Sequence, residues 1–233
     1  MTAESLHEVT FPNESREYRE ARNELLLAER ELRRQLERVA AQRRSLPLGG
    51  EATEDYAFEE VGLLNGPAAT AKPVKFSELF GDKTTLIAYS FMYGPEMAEA
   101  CPSCTSILDG LDGESRHVNQ RASFVVIAKS PPARIREHAR TRGWTDLRLL
   151  SSAKNTYNAH YRGENQKAEQ TPALNVFTKR DGKIFHSWCS ELMFVASDQG
   201  QDPRHVDLIW PLWHLLDATP DGRGTDWRPT LKY

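Results

Sequence analysis

Long hydrophobic runs are missing from this chain. Its most apolar late stretch, residues 208–216, is interrupted by Pro211 and His214. It falls well short of the ~18 residues that span a bilayer, so no membrane partner is expected. Residues 1–15 are polar and acidic, without the apolar centre of a secretory leader, and a cytoplasmic protein is expected. One-signed charge is also missing. Lysine and arginine number 30 against 33 aspartates and glutamates, for a net charge of −3. That balance excludes a global pull toward nucleic acid or an anionic membrane. Cysteine is scarce, at three in 233 residues. Three cannot build a disulfide scaffold, and in a reducing compartment a close pair is redox-active or metal-binding before it is structural. There is no Gly-rich phosphate loop, no Ser–His–Asp arrangement with supporting context and no nucleic-acid module. Neither an organic cofactor nor a resident metal is expected. What is left is an ordinary globular composition, 39% apolar, long enough for one fair-sized domain with an appendage.

The strongest signal present is Cys101-Pro102-Ser103-Cys104. It follows the strand-like run Thr85 to Met92 and opens the helix-like run Thr105 to Leu111. Positions three apart share a helix face, so the two sulfurs can meet. The first sits near the N-cap, where unpaired N–H groups and the helix dipole favour an anion. Thiols so placed reach pKa values of roughly 3.5 to 7.5. Pro102 suits the first turn, where its missing N–H has no partner to lose. Glu96 and Glu99 lie just upstream and would oppose a thiolate.

Around this motif the chain reads as a helical arm, residues 1–50, followed by an α/β domain, residues 51–233. From Glu14 to Arg44 there is no Gly or Pro, and Ala, Leu, Glu and Arg dominate. Leu25, Leu32, Leu36 and Val39 give a narrow apolar stripe, Glu29 and Arg33 an i,i+4 pair. Such a rod of ~45 Å is an arm for its own domain or for a second copy. It stops at Pro47-Leu48-Gly49-Gly50. Strands are then expected over Tyr56–Val61, Thr84–Met92, Ala122–Ala128 and Leu147–Leu150. A turn is expected at Asn65-Gly66-Pro67, a capped short helix over Ser77–Phe80 and a helix over Ala133–Arg142. Lys154–Gln170 reads as a long polar loop. Ala173–Thr178 and Lys183–Trp188 flank Arg180-Asp181-Gly182 as a hairpin. A last helix over Val206–Leu216 carries Ile209, Leu212, Trp213 and Leu216 on one face. Strand, Cys helix, strand, helix, hairpin, helix is the thioredoxin plan, a mixed sheet flanked by helices. In that plan a proline before the first hairpin strand faces the dithiol, and Pro172 occupies the place.

Several motifs together resemble a known family. They are Phe11-Pro12-Asn13-Glu14-Ser15, Leu46-Pro47-x-Gly49-Gly50, Glu54-Asp55-Tyr56-x-Phe58, Phe91-Met92-Tyr93-Gly94-Pro95, the dithiol with Asp109-Gly110, and Leu216-Asp217-x-Thr219-Pro220-x-Gly222-Arg223. The chain resembles the bacterial domain of unknown function 899 along nearly its whole length. That resemblance implies a thioredoxin-like fold and dithiol–disulfide oxidoreductase activity. After the hairpin the chain departs from the family's usual pattern, with His186-Ser187-Trp188-Cys189, and reads as a side branch.

Three functions remain in competition. In the first, Cys101 attacks a protein or small-molecule disulfide, Cys104 resolves the mixed disulfide and Pro172 aligns the substrate. In the second, Cys101 and Cys104 are half of a zinc set completed by Cys189 with His117 or His186. In the third, the scaffold serves binding or assembly, as in a homodimer through the N-terminal helix, and the cysteines are incidental. Cys189 alone reads as a buried small hydrophobe. His117 reads as a surface or capping residue, and His186, His205, His214, Trp144, Trp210 and Trp213 as structural. Asp109 is a helix-surface carboxylate or a proton acceptor for the dithiol. Asn155, Tyr157, Asn158 and Tyr161 belong to a solvated loop, or line a substrate site from it.

Overall fold

The computed structural model describes residues 6–62, 71–196, 198–199 and 204–231 of the chain. The expected turn at Asn65-Gly66-Pro67 and the side chain of His205 lie outside the described residues. Met1–Pro47 and Leu48–Tyr233 form two compact units.

The first unit is built on α1 (Arg16–Arg44). Ser15 caps it, its hydroxyl oxygen accepting the Tyr18 N–H at 3.1 Å, and Arg43 and Arg44 complement the dipole at the other end. No residue of the helix is buried. Glu29 is engaged by Arg22, 3.1 Å away and seven positions earlier, rather than by the Arg33 that spacing suggested. Exposed pairs of this kind add little stability.

The second unit is organised by one sheet. Its strands are β1 (Ala57–Glu60), β2 (Lys72–Lys75), β3 (Thr85–Phe91), β4 (Ser123–Ala128), β5 (Leu149–Ser151), β6 (Ala173–Arg180) and β7 (Lys183–Cys189). They lie in the order β2-β1-β5-β4-β3-β6-β7. β4 runs parallel to β3 and to β5, whereas β6 is antiparallel to β3 and to β7. Helix α2 (Pro102–Val118) joins β3 to β4, and α3 (Pro132–Arg142) joins β4 to β5. The quartet β4-β3-β6-β7 with its crossover helix is the thioredoxin arrangement, as the order of elements had led us to expect.

Successive strand residues face opposite sides of the sheet, which here supports two cores. On one side Tyr89, Phe91, Val126 and Leu174 pack with Cys104, Ile107 and Leu108 of α2, with Ile135 and Ala139 of α3, and with Trp210 and Trp213. On the other, Leu86, Ala88, Val125, Ile127 and Phe177 meet an aromatic layer of Tyr56, Phe58, Phe76, Phe80 and Tyr157. Phe76 belongs to a 3-10 turn, Phe76–Glu78, which replaces the expected helix. Asp55 holds that turn by accepting from the Ser77 N–H at 2.7 Å and the Ser77 hydroxyl at 2.9 Å.

Two further expectations are corrected. Within the polar stretch 154–170 the chain forms a short helix, α4 (Tyr157–His160), and both Tyr157 and Asn158 are buried. The last helix is divided. A 3-10 segment, Arg204–Ile209, precedes α5 (Pro211–Asp217), because Pro211 has no N–H to continue a helix and crowds the preceding turn. The glycine pair after α1 has a steric reason. A Cβ on Gly49 would lie 2.2 Å from the His186 carbonyl oxygen. With no side chain there, Gly50 can accept the His186 N–H at 2.9 Å and lie along β7.

Candidate active site

β3 ends at Phe91, and ten residues later Cys101 caps α2, with φ −58° and ψ 122°. Its N–H returns to the Met92 carbonyl at 3.0 Å, which anchors it to the end of the strand. Its own carbonyl accepts from Thr105, from the N–H at 3.0 Å and the hydroxyl at 2.9 Å. Pro102 occupies the first turn as expected. The segment between strand and helix is tied from α3: Arg134 donates to the carbonyls of Gly94, Pro95, Met97 and Ala98. Its guanidinium also lies 4.6 Å from the centre of the Tyr93 ring.

The two thiols are free and unequal. Cys101 is partly exposed, whereas Cys104 is only 2% exposed. The Cys104 thiol and the N–H groups of Cys104 and Ser103 stabilise a Cys101 thiolate against the cost of burial, and its pKa falls to about 6. The same partner acts in reverse on Cys104: the hydrogen bond to Cys101 and complete burial push its pKa well up. Glu96 and Glu99, expected to oppose a thiolate, are exposed and are not among the groups that set the Cys101 shift. Beneath Cys104 lies the Tyr89 hydroxyl, fully buried and without a hydrogen bond of regular geometry. Burial and the Cys104 sulfur beside it raise its pKa well above that of a free phenol.

One neighbour carries no local sequence signal. His138, on α3, brings Nε2 within 3.1 Å of the Thr105 hydroxyl and packs against Phe91, Tyr93 and Trp144. Burial lowers its pKa, so the ring favours the neutral form. With the Thr105 hydroxyl donating to Cys101, a neutral Nε2–H supplies the bond that the hydroxyl oxygen accepts. Asp109 is not part of the dithiol's surroundings. It accepts from Trp144 Nε1 at 2.8 Å and from Arg142 at 2.6 Å, fastening α2 to α3.

The zinc set is not assembled. Cys189 stands in register with Asn175, and Asn175 with Ala88, which places it on the face opposite Tyr89 and Cys104. His186 is on that far side too, bonded through Nε2 to Asn175 at 2.9 Å. His117 is exposed at the far end of α2. Tyr161, Asn175, His186, Cys189 and Glu191 instead line a cavity of about 730 Å3 there. Burial, with the Glu191 carboxylate, raises the pKa of Cys189, which disfavours its thiolate. Among the described residues one group has ligand atoms close enough for an ion, Asp207, His214 and Asp217. Arg223 already pairs with both of its carboxylates. Pro172 precedes Ala173, which pairs with Ser90. Continuing that register one step sets Pro172 across from Phe91, next to the residue that anchors Cys101.

A thioredoxin-type sheet with an unequal cysteine pair opening its crossover helix defines the class, a thioredoxin-fold protein with a Cys-x-x-Cys motif. The chain belongs to the family described as bacterial protein of unknown function (DUF899), whose model matches residues 8–233. No curated protein sequence matches it. Among solved structures it is similar to thioredoxin peroxidase I of Plasmodium yoelii, at 16% identity and a TM-score of 0.46, over 79% of this chain and 100% of that one. It is also similar to AhpC of Enterococcus faecalis, at 11% identity and a TM-score of 0.47, over 70% and 87% of the two chains. A peroxiredoxin-like protein of Aquifex aeolicus aligns at 12% identity and a TM-score of 0.40, over 62% and 75%.

Proposed function

We propose that the protein is a thiol–disulfide oxidoreductase acting on protein or small-molecule disulfides. The observation that carries this reading is the inequality of the pair: a partly exposed Cys101 with its pKa lowered to about 6 beside a buried Cys104 with its pKa raised. The Cys101 thiolate attacks one sulfur of a substrate disulfide, and the other sulfur leaves as a thiolate. A mixed disulfide now joins Cys101 to the substrate. Cys104 gives up its proton and attacks the Cys101 sulfur, so the second substrate thiolate departs and a Cys101–Cys104 disulfide remains. Two electrons have passed to the substrate, and an external dithiol or glutathione must return them. Pro172 would align the substrate backbone beside the sulfurs. No described helix is long and apolar enough to cross a membrane, and we place the activity in the cytoplasm, where thiol reductants are abundant.

Differential alkylation with mass spectrometry across graded glutathione ratios tests the reading. Cys101 and Cys104 should change from reduced to oxidised together, with one midpoint, while Cys189 stays independent of both. Two uncoupled thiols at every ratio would leave the fold as a binding scaffold instead.

Tyr89 gives the second step a donor. Its hydroxyl lies beside the Cys104 sulfur with no other partner, and it can steady the thiolate that Cys104 must become. A hydrogen bond to a charged group contributes about 1.5–3 kcal/mol. Tyr89→Phe should therefore slow release of the mixed disulfide by roughly ten- to a hundredfold and leave the first attack unchanged. Stopped-flow measurement of the two phases checks this, and equal slowing of both would refute the role.

A further inference from the structure

We infer that α1 pairs with the same helix of a second copy of this chain, in antiparallel orientation. Tyr18, Leu25, Leu32 and Val39 recur at every seventh position of the helix, and Leu36 falls four after Leu32. A repeat of seven keeps one seam facing a partner helix along its whole length. The seam is open over most of its length: Tyr18 is 51% exposed, Leu25 52%, Leu32 61% and Leu36 60%, while Arg22 and Val39 are half-buried. It is also narrow, the width of a two-helix contact rather than of a broad docking face.

Charge chooses the direction. The alternate seam positions are Arg22, Glu29 and Leu36, and Arg22 bridges Glu29 along the helix at 3.1 Å. A parallel partner would set Arg22 against Arg22 and Glu29 against Glu29. An antiparallel partner sets Arg22 against Val39, Glu29 against Leu32 and Leu25 against Leu36. In that alignment each charged residue faces an apolar one and keeps its own intrahelical bridge. The wider surface agrees. Residues 31–44 hold five arginines and two glutamates, while residues 16–30 hold four of each. Parallel pairing stacks the two basic halves on each other, and antiparallel pairing lays each beside a neutral half. Like charges directly apposed cost stability, so the second arrangement wins.

The inference is independent of the dithiol chemistry, and its test uses the whole chain. Sedimentation velocity over rising protein concentration should show a shift from the 26.5 kDa monomer to twice that mass. Leu32→Glu should remain monomeric at every concentration with unchanged circular dichroism. Orientation is read in a Cys101→Ser, Cys104→Ser, Cys189→Ser background. Leu25→Cys mixed with Leu36→Cys should cross-link, whereas each alone should not, because identical positions would lie roughly 16 Å apart along the axis. A wild-type monomer throughout overturns the pairing. Self-cross-linking of Leu25→Cys overturns the antiparallel order.

Discussion

On the proposed reading, Cys101→Ser should reduce thiol–disulfide exchange to the uncatalysed background, while Cys104→Ser should leave the first attack intact and trap the substrate on Cys101. The difference follows from which sulfur holds negative charge. With its pKa at about 6, Cys101 is roughly 90% thiolate at neutral pH, whereas an ordinary cysteine is ionised only to a few per cent. Alkylation of Cys101 should therefore lose rate as pH falls through about 6. A midpoint near 9 would remove the basis for assigning it as the nucleophile. The sign for stability follows from the same shift. A folded-state pKa below the unfolded one contributes stability that is complete above the free-thiol value of ~8.5. That contribution is lost as pH drops toward 6. Cys104 has the opposite shift, so its contribution is present at low pH and is lost as pH rises. The two thiols share a proton, and the titration belongs to the pair.

Phe76→Ala should cost about 3–5 kcal/mol, the range for truncating a buried aromatic ring. Phe76 is 0% exposed and its ring meets Tyr56, Phe80 and Phe177 edge-on, the last at 4.9 Å between centroids. The 3-10 turn that presents it is short and anchored by Asp55, so it has little freedom to collapse into the void. Urea unfolding of the reduced protein measures the loss. A change below 1 kcal/mol would show that the aromatic layer repacks.

These two sites differ in how openly the sequence displays them. The dithiol was legible because local chemistry sets it: an apolar strand before, a proline in the first turn and a helix after. The hairpin was legible for the same kind of reason, since Asp181 and Gly182 adopt φ 50° and 77°, the left-handed values its turn requires. α1 could be read from composition alone. Strand β2 could not, because Lys72-Pro73-Val74-Lys75 offers one buried apolar residue. Its proline and lysines fit an edge strand that must resist further pairing. His138 was equally hidden. Its meeting with Thr105 is made by the crossing of two helices 33 positions apart, which no periodicity records. Tyr157 and Asn158 sit in a polar stretch; Tyr157 is interior because it joins the aromatic layer, and Asn158 is bonded to Ser152 and Gln170. The separation of Cys189 from the dithiol depends on strand register, which fixes the face a side chain takes and is set by pairing across the sheet.

Arg134 contributes no atom to the dithiol, yet its forked guanidinium gathers four carbonyls of the segment leading to Cys101. Lysine could match its charge but not its planar set of donors. The footing of Cys101 is thus remote-controlled from the neighbouring crossover, and on the proposed reading a change made on α3 would retune its reactivity while sparing both sulfurs.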